Sequence, residues 1–213
     1  MKKIDSAAKV LDLLRKEYPE ARVTLDFRTP LQLLVATILA AQCTDERVNR
    51  VTKVLFKKYR TAADFAQADP SALEEEIRST GFFRQKAKSI ILCCRDLVSR
   101  FKGEVPRTLE DLTSLAGVGR KTANIILGNA FGQQAIAVDT HVKRVTRRLG
   151  WASSEDPDRI ELELMKVIPG ERWTQACHDL VFHGRNICAA KKPRCSSCPV
   201  THLCPKIGVT AKE

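Results

Sequence analysis

Apolar residues recur along this chain at three- and four-residue intervals almost from end to end. Strict two-residue alternation is nearly absent. That period predicts an all-α fold of about nine or ten helices, and the punctuation agrees with it. Thr29-Pro30 opens a helix over Leu31–Gln42 that is apolar nearly all round and therefore central. Thr44 or Asp45 caps the next, with Val48, Val51 and Leu55 on one face. Asp69-Pro70 opens another, Ser71 and Glu74 resemble a capping box, and Gly81 stands where a left-handed C-cap is wanted. Ala87, Ile90, Ile91, Cys94, Leu97, Val98 and Phe101 form a long stripe ended by Gly103. Thr108, Asp139 and Asp156-Pro157 start three more helices, and a last one covers Arg172–Arg185. Beyond Cys188 the chain is rich in Cys and Pro and is expected to be loop-built.

At 213 residues the chain makes one large domain or two small ones. Its longest nearly uncharged apolar run, Leu31–Ala41, is far short of the ~20 residues a bilayer requires. The segment MKKIDSAAKVLDLL scatters charge among its apolar residues and has no cleavage site, so a cytoplasmic protein is expected.

Charge narrows the partners. Thirty-six Lys and Arg oppose 25 Asp and Glu, a net +11 that draws a protein toward polyanions, nucleic acid above all; plain solubility charge is the bland alternative. Six bases lie between Arg120 and Arg148 against one acid, Asp139. Four more (Lys191, Lys192, Arg194, Lys206) lie between Cys188 and Lys206 against no acid, and both stretches are expected to form phosphate tracks.

Four of the eight cysteines fall in the pattern C-x6-C-x2-C-x5-C, at Cys188, Cys195, Cys198 and Cys204. Four thiolates on a short loop suit zinc or an iron–sulfur cluster, with a pair of disulfides as the other option. Zinc sites usually pair two CxxC knuckles, and only one is present, which leans toward a [4Fe–4S] cluster. Cys43, Cys93, Cys94 and Cys177 read as small buried hydrophobes.

The segment Leu115-Ala-Gly117-Val118-Gly119-Arg120-Lys121-Thr122 sets two glycines between two helices, the second running from Lys121 or Thr122 to about Asn129. A plain turn would explain the glycines. The bases behind them favour an anion site built on free amides at a helix N-terminus. Lys121 is either a phosphate contact or a nucleophile. As a nucleophile it must be neutral, and the helix end, Arg120 and partial burial are expected to favour that form. Asp139 is expected to cap the helix from Thr140, and as a lone carboxylate in basic surroundings it can also stabilise a developing cation or steer a proton.

LAGVGRKTAN, AVDTHVKRV and the four-cysteine tail, in this order and spacing, closely resemble the endonuclease III family of helix–hairpin–helix DNA glycosylases, over essentially the whole chain. The resemblance implies a six-helix domain over residues 22–134 carrying the hairpin, and a cluster domain from 1–21 plus 135–213. It implies a monomeric bifunctional enzyme that removes oxidised pyrimidines from double-stranded DNA and cuts at abasic sites by β-elimination. Lys121 aligns with the nucleophile, Asp139 with the catalytic aspartate, and the four cysteines with the ligands of a [4Fe–4S] cluster. Gln42 would fill the gap left by an extruded base, and Phe82 would wedge into the duplex, where the family more often carries an aliphatic residue. Gly117, Val118, Gly119, Arg120, Thr122, His141, Lys191 and Arg194 complete the DNA contacts, and a monovalent cation can sit at the hairpin. An adenine-removing relative is one rival; such enzymes usually lack the hairpin lysine and carry a further domain, whereas here nine residues follow Cys204. A non-catalytic DNA binder with structural zinc is the other.

Overall fold

A computed structural model describes residues 3–210, so the first two residues of the amino-terminal segment and the last three of the chain lie outside the described residues. The described residues form eleven α-helices and two short 3-10 turns, with no strand. None of these helices is long and apolar enough to cross a membrane.

The chain divides into two compact units, Thr24–Gly132 and Met1–Val23 with Gln133–Glu213. The first holds α2 (Pro30–Leu39), α3 (Asp45–Lys58), α4 (Ala62–Ala66), α5 (Pro70–Ile77), α6 (Phe83–Phe101), α7 (Leu109–Thr113) and α8 (Arg120–Phe131). Helix α2 is its centre. All residues from Leu33 to Leu39 are buried, and a leucine taken fully out of water contributes ~1.5–3 kcal/mol. The helix α6 packs on α4 and α5, and α8 lies on α2 and α7. Phe65, Leu73, Ile77, Ile90, Leu97, Leu112 and Ile126 close the core.

The second unit holds α1 (Lys3–Glu17), α9 (Thr140–Arg148), α10 (Pro157–Met165) and α11 (Trp173–Asn186). Helix α11 packs against both α9 and α1. Val10, Leu11 and Leu14 of α1 meet Val142 and Val145 of α9, Ile160 and Leu164 of α10, and Leu180 of α11 in one core.

The caps fall where side-chain chemistry dictates. Thr29, Thr44, Asp69, Thr108, Asp139 and Asp156 each accept an amide of the first turn. Three local expectations are corrected. Asp69, not Ser71, caps α5, and a capping box instead joins Thr61 and Asp64 at α4, a helix too short to show a period. Helix α2 stops at Leu39 rather than Gln42, which has left the helix with φ 52°. Gly81 is no left-handed cap: its φ of 70° and ψ of 159° form an extended conformation open to glycine alone. It follows a 3-10 turn at Arg78–Thr80. On α6, Val98 is exposed, and the helix ends on Lys102 in the left-handed region before Gly103.

Candidate active site and DNA interface

The hairpin joins α7 to α8. Gly117 takes a φ of 77°, and a Cβ there would lie 2.8 Å from the Cβ of Ser89 on α6. Glycine is thus required twice over, for its backbone angle and for the hairpin's seat on α6. Val118 is buried beneath the turn and donates to the carbonyl of Leu115 at 3.1 Å. Gly119 is different. Its φ is −89° and nothing lies within 4 Å of a Cβ built on it, so neither backbone nor interior packing demands glycine. It is the N-cap of α8 and offers no side chain to the first-turn amides. The helix therefore begins one residue earlier than expected, at Arg120, with an amide-rich, uncapped end suited to a phosphate. Lys121 stands in its first turn and Thr122 beside it. Lys121 is exposed, which corrects the expectation of partial burial.

Asp139 caps α9, its Oδ1 accepting the Val142 amide at 2.7 Å, and stays half-buried. Two residues on, the Nδ1 of His141 lies 3.2 Å from Arg144 Nη2. Burial holds the His141 imidazole below its ordinary value, with Asp139 opposing. The expected basic track on this stretch is not an open row of cations. Lys143 and Arg147 pair with Glu155. Arg144 turns to the carbonyls of Gly184 and Cys188, at 2.9 and 3.0 Å. Arg148, 9% exposed, fans onto the carbonyls of Cys188, Ala189 and Ala190. Sequence counts cations; it does not show which are turned inward to cap carbonyls.

Those arginines build the carboxyl-terminal module. Cys188, Cys195, Cys198 and Cys204 line one recess together with Arg148, His183 and Val200. Arg148 Nη1 lies 3.2 Å from the Sγ of Cys188, and the Lys206 amide points at the Sγ of Cys204 from 3.4 Å. His183 Nε2 stands 3.7 Å from the Sγ of Cys198. Burial pushes the thiols of Cys198 and Cys204 up, and the other cysteines of the set push the same way. Among the described residues no three His, Cys, Asp or Glu side chains converge tightly enough to hold a single metal ion. Lys191, Lys192 and Arg194 are exposed on the same loop, and Arg194 reaches back to the carbonyl of Asn186. Cys93, Cys94 and Cys177 are buried in their cores; Cys43 is only half-buried.

In the first unit Gln42 and Phe82 are exposed, Phe82 by 65%, and both adopt left-handed backbone, at φ 52° and 48°. Next to Phe82, the ring of Phe83 has the guanidiniums of Arg78 and Arg84 at 5.9 and 5.5 Å. Sequence reasoning passes over these two arginines and over Lys86, a buried lysine four residues before Ile90 on the apolar stripe of α6. That misplaced charge is the available signal.

Comparison with known proteins bears on this geometry. Residues 35–170 match the HhH-GPD superfamily of base excision DNA repair proteins. Endonuclease III of Synechocystis sp. is 54% identical over 93% of this chain and 91% of its own, and endonuclease III of Bacillus subtilis is 45% identical over 91% and 89%. A non-covalent endonuclease III–DNA complex matches with a TM-score of 0.90 and 46% identity, over 97% of this chain and 96% of that one. A trapped endonuclease III–DNA covalent intermediate, an estranged-adenine complex, matches with a TM-score of 0.91 and 46% identity, over 97% of both. A thermostable thymine-DNA glycosylase, at 23% identity and a TM-score of 0.82, shares the fold. An all-α chain with an uncapped glycine hairpin is thus a helix–hairpin–helix base excision repair protein, and within that superfamily it belongs to the endonuclease III family.

Proposed function

We propose that this chain is a bifunctional DNA glycosylase and abasic-site lyase that removes oxidised pyrimidines from double-stranded DNA. The observation that carries the reading is a lysine set in the first turn of an uncapped, glycine-led helix, in a chain close in sequence and structure to endonuclease III held covalently to DNA. The amides at Gly119 and the first turn of α8 take a backbone phosphate beside the lesion, with a monovalent cation at the turn. Arg120, Thr122, His141, Lys191 and Arg194 add contacts. The damaged base is extruded, which is least costly where it pairs or stacks badly. Gln42 takes up the vacated space and Phe82 wedges the stack.

The neutral amine of Lys121 attacks C1′, and the base departs with the bonding pair and takes up a proton. The attached nitrogen gives up a proton, and its lone pair then forms the imine as the ring oxygen leaves C1′ with the bonding pair and takes up a proton. Loss of a C2′ proton then expels the 3′ phosphate, cutting the strand. Asp139, held by its cap bond, stabilises the cationic sugar as the base departs and moves protons in the later steps.

Cys188, Cys195, Cys198 and Cys204 would hold a [4Fe–4S] cluster. Four thiols lining one recess are the donor set such a cluster takes. Bound there, the cluster would cross-link the loop that carries Lys191 and Arg194. The test is borohydride trapping on duplexes bearing thymine glycol or an abasic site. Lys121→Gln should abolish the covalent product while DNA binding persists; equal trapping by the variant refutes the assignment.

A further inference from the structure

Lys86 is 5% exposed, and among the described residues no carboxylate bonds it. Its Nζ donates to the carbonyl of Leu39 and to the carbonyl of Thr80, both at 2.8 Å. These are two chain ends. Leu39 is the last residue of α2, and Thr80 the last of the 3-10 turn before α6. The ammonium therefore sits where two helical segments run out of amides to satisfy their carbonyls, the end of a helix that favours a cation.

The backbone beyond each pinned carbonyl is strained. Three residues after Leu39, Gln42 is left-handed; directly after Thr80 come Gly81, in its glycine-only conformation, and left-handed Phe82. Non-glycine residues hold such angles only where the surroundings over-determine them. Lys86 supplies that determination to both segments at once, and its own amide anchors to the carbonyl of Phe82 at 3.0 Å. Burial lowers the Lys86 pKa, a cost carried without an ion pair.

We propose that Lys86 is a positioning residue for base extrusion: its one buried amine ties together the chain ends that present Gln42 and Phe82, so that both side chains enter the opened duplex as a unit. This rests on the reading of Gln42 and Phe82 as the residues that enter DNA.

The test compares two substrates under single turnover, with rates normalised to borohydride-trappable enzyme. One carries thymine glycol paired with adenine, which must be extruded; the other carries a preformed abasic site, with no base to displace. Lys86→Met should slow excision on the first roughly tenfold and strand cutting on the second less than about threefold. Lys86→Arg, which keeps donors for both carbonyls, should recover most of the loss. Equal slowing on both substrates makes Lys86 merely structural, and no slowing on either makes it idle; each overturns the proposal. Should Lys86→Met give no trappable protein, Lys86→Gln is carried through the same pair with the same criteria. The double variant Gln42→Ala/Phe82→Ala separates the two readings. If it leaves excision from the paired lesion unchanged, the reading of those two residues fails, whatever Lys86 does. If it slows excision, Lys86→Met in that background should add nothing, and an additive loss sinks the proposal alone.

Discussion

Two glycines separated by one residue should answer to the same substitution in opposite ways. Gly117→Ala forces an alanine to φ 77°, at ~1–2 kcal/mol for a left-handed residue. It also drives a methyl to 2.8 Å from Ser89 Cβ and 3.1 Å from Ser89 Oγ, overpacking that costs ~1–3 kcal/mol. The sum is a loss of about 2–5 kcal/mol. Ser89→Gly removes both obstructing atoms at ~0.5–1 kcal/mol of its own, so in that background Gly117→Ala should cost only the backbone part, ~1–2 kcal/mol. Gly119→Ala meets open space at an ordinary φ of −89°. The poorer N-cap, ~0.5–1 kcal/mol, offsets the ~0.4–1 kcal/mol gained by restricting the unfolded chain, leaving stability nearly unchanged. The added methyl stands where a phosphate must approach, so DNA affinity should fall about ten- to a hundredfold, as for a lost charge-assisted bond of ~1.5–3 kcal/mol. Urea unfolding followed by far-UV circular dichroism is the assay, because both tryptophans, Trp151 and Trp173, belong to the other unit. If Gly119→Ala destabilises more than Gly117→Ala, or if Ser89→Gly rescues nothing, the account of the hairpin is wrong.

Asp139→Asn keeps a good cap on α9, so the melting temperature should hold while single-turnover excision falls by ~10²–10³; a cap role alone predicts no kinetic change. Burial holds the His178 imidazole down to about 4 against an ordinary 6.5. The unfolded chain therefore binds the extra proton between those values, and stability present above pH 6.5 is lost as pH falls toward 4, by up to about 3 kcal/mol from this group. Chemical unfolding read by tryptophan fluorescence should show His178→Gln losing that much less between pH 7 and 4, and parallel curves would refute it. Purified protein should be brown and contain iron and sulfide. Cys195→Ser should bleach it and weaken DNA binding, whereas a colourless parent with bound zinc would overturn the cluster reading.

How much the sequence discloses depends on the range of the interactions involved. An N-cap is decided by one side chain and an amide two or three residues away, so Thr29, Asp69, Thr108, Asp139 and Asp156 can be placed from sequence alone, and the choice between Thr44 and Asp45 falls to Thr44. The apolar stripe of α6 is likewise legible, because burial repeats with the helix turn. The fate of the arginines is not. Arg144 and Arg148 look like a phosphate track in a row of letters, yet each meets carbonyls about forty residues further along the chain. Lys86 reaches Leu39, 47 residues before it. The C-x6-C-x2-C-x5-C spacing leaves zinc and iron–sulfur both open for the same reason, since it fixes how many thiols a loop offers but not how far apart folding holds them.

That distinction bears on how the net charge of +11 should be used. If charge alone bound DNA, every Lys or Arg removed would weaken binding alike and flatten its salt dependence by about one phosphate's worth. The structure sorts the cations differently. Lys191→Ala removes an exposed amine and should lower affinity and salt slope together, with no effect on stability. Arg148→Ala strips the carbonyls of Ala189 and Ala190 of their guanidinium donor beside the cysteine recess, while Cys188 keeps Arg144. It should cost ~1–3 kcal/mol of stability, since half-buried carbonyls lose a charged donor, and loosen the cysteine loop before any phosphate contact is counted. Matched losses for the two variants in salt-dependent binding, with equal melting temperatures, would mean that the arginine faces the nucleic acid after all.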